Sequence, residues 1–162
     1  MKLLNYINGK FEEPESAEWI NNLSPSTGDV IGSVPLSGES DVKLAIGAAR
    51  EALPEWSGMN PSDRAEWLDR IADCLEEKFE EIAYLESLDT GKPISLARSV
   101  DATRSVSNFR FFSKMIRDME DETYEMEDAT NTVTLRAVGV GALITPWNLP
   151  LYLLSWKVAK AI

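Results

Sequence analysis

The sequence predicts an α/β fold, and three observations carry that expectation. Strand and hairpin signals occupy residues 1–38, helical periodicity dominates 39–118, and a strand–turn–helix unit fills 139–162. The last of these, GVGALITPWNLPLYLLSWKVAKAI, organises the rest. Val140, Ala142, Leu143 and Ile144 are short, small and apolar on both faces, as in a buried parallel strand. Pro146 has no N–H for a ladder and ends that strand. Trp147 and Asn148 make a turn, and Pro150 stands where a first helical turn tolerates proline. Leu151, Leu154, Val158 and Ile162 then recur at helical spacing. Asn148 is left at the carboxyl end of a strand, the end at which open α/β sheets bind ligands.

The elements before it follow in order. Residues 2–13, KLLNYINGKFEE, alternate around Asn8-Gly9 and read as a β-hairpin. A turn at Ser26-Thr27-Gly28-Asp29 leads into a strand through Val30 and Val34. Ser40 is a good N-cap, with Asp41 in the first turn. Val42, Ala45, Ile46, Ala49 and Leu53 then line an amphipathic helix that Pro54 is expected to end. Asn60 caps a second helix, with Pro61 at its first position. Trp67, Leu68, Ile71, Ala72, Leu75, Phe79 and Ile82 line one face of it, with a break near Glu77 and a stop at Gly91 and Pro93. A third helix, Ser99 to Asp118, carries two stripes. One is Ala102, Val106, Phe109 and Ile116; the other is Arg104, Asn108, Phe111 and Met115. Two stripes predict a helix wedged between neighbours. Residues 118–131 are densely acidic and read as a solvated loop, or else a cation site. Thr132–Val138 alternates with period two, as in a strand within a 130–138 segment that has one solvated face. Gly139 and Gly141 lack the third glycine and the spacing of a dinucleotide fingerprint, so close packing is their expected use.

Composition bounds the chemistry. With 162 residues and 44% hydrophobic content the chain is long enough to bury a core. A net charge of -11, from 27 acidic and 16 basic residues, argues against nucleic-acid binding. No apolar run is long enough to span a bilayer, and no signal-peptide core follows the opening Met-Lys-Leu-Leu-Asn. A cytoplasmic protein is expected. Histidine is absent, which removes Ser-His-Asp and Cys-His units and His metal ligands. The single cysteine, Cys74, allows neither an internal disulfide nor a zinc cluster, and no metal site is expected. Cys74 lies between Ala72 and Leu75, on or beside the buried helix face, where a thiol would be inert. Chemistry therefore falls to carboxylates, amides, lysine, arginine or a partner.

ITPWNLPL followed by SWK resembles the aldehyde dehydrogenase superfamily, in which the turn after the first strand of the cofactor domain reads P-W-N-x-P. N-G-K-F, P-S-T-G-D-V-I and E-S-L-D-T-G-K-P resemble the same family, so the likeness runs from Asn8 to Ile162. Ala137 and Lys160 depart from it, standing where many members have proline. The resemblance implies the amino-terminal portion of that fold. Its parts would be a strand and hairpin arm over 1–38, a helical segment over 39–118, an oligomerisation strand over 130–138, and over 139–162 the first βα unit of a Rossmann-like NAD(P)-binding domain.

Roles follow by position. Asn148 matches the family's oxyanion asparagine; the reading from residues alone is an N-cap of the next helix. Ile144, Thr145, Pro146, Trp147 and Asn148 match positions that line the nicotinamide and ribose of NAD or NADP, NAD being favoured. Lys157 matches the lysine near the proton path of the catalytic glutamate, or else is a snorkelling surface lysine. RSVSNFRFF, Arg104 to Phe112, most resembles the branch that handles 2-hydroxymuconic and 2-aminomuconic semialdehydes. Arg104 would then hold a substrate carboxylate bidentately; the alternative is an ion pair with Asp101. Arg110 suits general members as well.

The family's nucleophilic cysteine and catalytic glutamate have no match here, so the 162 residues are expected to be inactive alone, with an apolar patch exposed. A small-molecule aldehyde and a homo-oligomer, dimer or tetramer, are the implied partners. The competing reading is a natural short module that assembles with a full-length relative. Asn148 and Arg104 favour the enzyme, because an assembly module needs neither.

Overall fold

The computed structural model describes residues Met1–Ile162. Strands and turns form wherever local chemistry dictates them. β1 (Asn5–Ile7) and β2 (Lys10–Glu12) pair antiparallel, with Ile7 opposite Lys10. The turn between them has positive φ at both Asn8 and Gly9, the pairing that Asn-Gly accepts most easily. β3 (Trp19–Leu23), which the periodicity does not announce, pairs antiparallel with β4 (Val30–Pro35).

Helix α1 runs Glu39–Gly58 and corrects two expectations. Its N-cap is Gly38 rather than Ser40, because the buried Asp41 carboxylate closes the end: Oδ2 accepts from Gly38 N–H at 2.8 Å and Oδ1 from Glu15 N–H at 3.0 Å. Pro54 lies inside the helix instead of ending it. One exposed turn loses a hydrogen bond, but the turn beyond is anchored by Trp56, whose Nε1–H donates to the Ile162 carbonyl at 3.2 Å.

Helix α2 (Pro61–Glu77) starts as expected, with the Asn60 side chain accepting from Asp63 N–H at 2.9 Å. The break at Lys78 is present, and α3 spans Phe79–Thr90. Gly91 caps α3 with φ 74°, and its N–H donates to Ser87 O at 2.9 Å. A Cβ there would stand 3.0 Å from Pro25 Cβ. Gly91→Ala therefore combines left-handed strain with crowding and is expected to cost about 1–2 kcal/mol. Urea denaturation checks this; an unchanged midpoint would mean the cap tolerates a side chain.

The third helix is not one regular helix from Ser99. A short α4 (Ile94–Leu96) leads through a π-helical turn, Ala97–Ala102, into α5 (Thr103–Arg117). The acidic stretch is no loop either: β5 (Glu122–Glu125) pairs with β6 (Thr130–Val133), every residue of both being exposed. The expected strand 132–138 thus pairs only as far as Val133. The expected strand 139–144 has no ladder, since no other strand lies beside it to receive its N–H and C=O groups. Gly139 has φ 116° and neither Gly139 nor Gly141 is closely packed, so conformation, not crowding, explains Gly139. The last helix, α6 (Pro150–Ala161), begins at Pro150 as expected.

The core sits where α5 packs between α2 and α6, as the wedge expectation requires. Leu68, Ala72, Phe109 and Ala159 are its buried centre. Several lining expectations change. Trp67 is exposed with Arg70 stacked 4.0 Å from its ring, and Leu154 faces solvent while Ser155 and Ala159 are buried. The second stripe of α5 splits: Asn108 is buried, whereas Arg104, Phe111 and Met115 are exposed. Serines fill the close contacts instead, Ser113 Oγ donating to Ala65 O at 3.1 Å. The expected apolar exposure is present on α1, at Val42, Leu44 and Ile46, and at Ile144 and Trp147. No helix is long and apolar enough to cross a membrane.

Candidate active site

Two contacts set the register of α5 against α6. Asn108 meets Tyr152 and Ser155, and one turn later Phe112 meets the Trp156 ring edge-on at 5.9 Å between centroids. Residue numbers rise together along both helices, so they run roughly parallel. Arg104, one turn before Asn108, stands about level with the start of α6. The structure therefore brings Arg104 and Asn148 to one end of the helix pair.

Asn148 is exposed and outside the helix. The capping position belongs to Leu149, with no side-chain cap, so the N-cap alternative for Asn148 is excluded and its amide has no hydrogen-bond partner. Arg104 is exposed and makes no ion pair or hydrogen bond. The alternative pair with Asp101 is excluded because Asp101 is fully buried beside Lys92, 2.8 Å from its ammonium.

Arg110 is committed elsewhere. It binds Asp73, Glu76 at 3.2 Å and Asp69 at 3.5 Å, locking α5 to α2. Burial pushes the Asp69 carboxyl up, but the hydrogen bond and charge of Arg117, aided by Arg110, outweigh that and hold it below the usual carboxylate range. Its contribution to stability is accordingly present above the ordinary carboxylate range and lost as pH falls through the lowered value.

Lys157 is exposed, and its ammonium donates to the Ile144 carbonyl, fastening the 144 segment to α6. Ile144 and Trp147 are 81% and 67% exposed, Pro146 is exposed and Thr145 half-buried. Apart from the Ile144 carbonyl, the peptide groups of this stretch up to Asn148 make no hydrogen bonds. Cys74 is exposed on α2, which corrects its expected burial: the buried line of α2 is Ala65, Leu68 and Ala72, and two residues past Ala72 is the far side of the helix. Surface hollows, between Tyr6–Asn8 and the alanines of α1 and beside Trp67, include none of the candidate residues.

Residue-level reading missed Asn108, Ser155 and the buried set Glu86, Lys92 and Asp101. Asn108 carried a signal in its position, four residues past Arg104 and flanked by Val106 and Phe109 of the core.

With this geometry in place, comparison with known proteins gives the class. The sequence profile of the aldehyde dehydrogenase family matches residues 11–162, and the chain belongs to that family. It is 47% identical over its whole length to a 2-aminomuconic semialdehyde dehydrogenase of Bos taurus, of which it covers 33%. It is 39% identical, over 99% of its length and 34% of the relative's, to a 2-hydroxymuconic semialdehyde dehydrogenase of Pseudomonas sp. (strain CF600). The crystal structure of PnpE in complex with nicotinamide adenine dinucleotide superposes with a TM-score of 0.94 at 37% identity, covering 99% of this chain and 33% of PnpE. The chain thus spans about a third of the length of these relatives.

Proposed function

We propose that these residues belong to an NAD(P)-linked oxidoreductase that converts an aldehyde bearing a carboxylate, a semialdehyde, to the acid. The observation that carries this reading is that an unpartnered guanidinium, Arg104, and an uncommitted amide, Asn148, lie toward the same end of α5 and α6. One suits a carboxylate and the other a carbonyl oxygen, the two ends of such a substrate. The semialdehyde dehydrogenases among the relatives support the same substrate class.

Asn148 donates an N–H to the carbonyl oxygen as it gains negative charge, and an amide does so without itself accepting a proton. Arg104 holds the carboxylate by two parallel N–H···O bonds, a geometry its planar fork supplies and lysine does not. NAD(P) supplies the hydride acceptor when bound. The stretch Ile144–Asn148 fits one side of it, with an apolar wall from Ile144 and Trp147 and unpaired peptide groups to meet polar atoms. NAD is favoured over NADP, the solved NAD complex being 37% identical to this chain against 30% for an NADP-dependent relative. Lys157 holds the Ile144 backbone and in that way shapes this wall. The nucleophilic thiolate and the water-activating carboxylate are assigned to sequence outside these 162 residues, because the one cysteine, Cys74, lies on α2 and not at this end. The 162 residues alone are then inactive. The fully exposed β5–β6 hairpin favours assembly into a homo-oligomer, a dimer or tetramer.

Arg104→Ala in the native polypeptide tests the reading. The loss of a charged, two-pronged contact is expected to lower kcat/KM for a carboxylated semialdehyde about 10- to 100-fold. An unsubstituted aldehyde of the same length should lose little. Equal losses on both substrates would remove Arg104 from the substrate site.

A further inference from the structure

We infer that Asn108 is a positioning residue: it fixes how far the Arg104 guanidinium stands from the Asn148 amide, and hence which substrate lengths span the two. The inference rests on the oxidoreductase reading above.

Asn108 is 4% exposed and Ser155 3% exposed, at the seam between α5 and α6. Asn108 Nδ2 donates to Ser155 Oγ at 2.9 Å and to the Tyr152 carbonyl at 3.2 Å. Ser155 Oγ donates in turn to the same carbonyl at 2.8 Å, closing a triangle. Val106, Phe109, Phe112 and Val158, on the same two helices, belong to the apolar core. A leucine would satisfy such surroundings without the cost of burying an amide, so packing alone does not call for asparagine.

Direction is what the amide adds. Dispersion contacts along two helices re-form with new atoms when one helix slides, but the two hydrogen bonds that cross from Asn108 to α6 hold at a single offset. Axial offset is also the coordinate that separates Arg104, on α5, from Asn148, immediately before α6. A substrate gripped at both ends feels that offset directly, and a misplacement of about 1 Å costs on the order of a hundredfold in rate. An unsubstituted aldehyde is gripped at the Asn148 end alone and adjusts.

The test measures kcat/KM for a carboxylated semialdehyde and for an unsubstituted aldehyde of equal length, with NAD saturating, in the native polypeptide. Asn108→Leu is expected to lower the ratio of the two about tenfold or more, and Ser155→Ala about threefold. Ser155→Thr, which keeps the hydroxyl, should restore most of the ratio. In an Arg104→Ala background, Asn108→Leu should leave the ratio unmoved, since the anchor it positions is gone. A lowered melting temperature with an unchanged ratio would make Asn108 purely structural and overturn the inference. So would an equal drop with Arg104 already absent. Should Asn108→Leu fail to fold, the Ser155 pair decides by the same ratio. A wild-type protein that oxidises neither aldehyde overturns the oxidoreductase reading itself, and this inference with it.

Discussion

Lys92→Met is expected to destabilise the fold by about 3–5 kcal/mol, the range for stripping one partner from a buried ion cluster. Lys92 Nζ stands 3.0 Å from Glu86 Oε1 and 2.8 Å from Asp101 Oδ2, and the three side chains are 10%, 9% and 0% exposed. Neither Asp101 oxygen has an aligned hydrogen bond, so the adjacent ammonium is its entire compensation. Methionine matches lysine in volume but leaves two buried carboxylates facing each other. Burial pushes the Glu86 carboxyl up; the Lys92 ammonium draws it down and Asp101 pushes it up again, and the net is above the usual range.

The pH dependence follows from these directions. A raised carboxyl favours the fold in acid and loses that contribution as pH rises through its own value. In Lys92→Met the Glu86 carboxyl escapes by taking a proton, so the loss should be smaller in acid and grow as pH rises. In the wild type, burial pushes Lys92 down but the close carboxylates of Asp101 and Glu86 raise it overall. Its contribution is therefore present below the ordinary lysine range and lost as pH climbs through the raised value. Urea unfolding in mild acid and at neutral pH checks the variant. A loss below about 1 kcal/mol at both would mean the cluster is solvated rather than buried.

Asn148→Ala is expected to lower kcat of the native polypeptide about 10²- to 10³-fold, the cost of one donor to a developing oxyanion. The loss belongs in kcat, because the amide meets charge that appears only in the transition state. In this structure the amide makes no hydrogen bond and caps no helix, so its removal should leave stability within about 0.5 kcal/mol. That separation is the check. A large fall in melting temperature would assign Asn148 a structural task, and a rise in KM with kcat intact would make it a binding group only.

What could be read from the chain was what its neighbours in sequence decide. Asn8-Gly9, Asn60-Pro61 and Gly91 work through local hydrogen bonds and backbone angles, and each stands where its chemistry requires. Family motifs singled out Asn148 and Arg104 as candidates, whereas their freedom from other partners was not legible. Features that depend on distant chain were hidden. The run 139–144 has strand character but needs a strand beside it, and Glu-Thr-Tyr-Glu of β5 pairs despite its charge because β6 lies opposite. The helix seams were hidden for another reason: Ser105, Ser113 and Ser155 are buried, and counting hydrophobic side chains passes over them. Cys74 was assigned to a face that the spacing of Ala65, Leu68 and Ala72 points away from.

The π-helical turn at Ala97–Ala102 gives the long helix from Ile94 to Arg117 a phase slip. Thr103 N–H reaches back five residues to Arg98 O, so the coil before the slip and the coil after it are keyed out of step. Each residue advances an α-helix by about 100°. The six residues of the π turn sweep roughly the angle that five sweep in an α-helix, so excising one here would restore a continuous coil and leave Arg104 near its present bearing, whereas the same excision inside α5 would swing every later side chain by about 100°. The surplus residue is absorbed where it sits, and a related sequence one residue shorter at this turn can present the same face to its substrate.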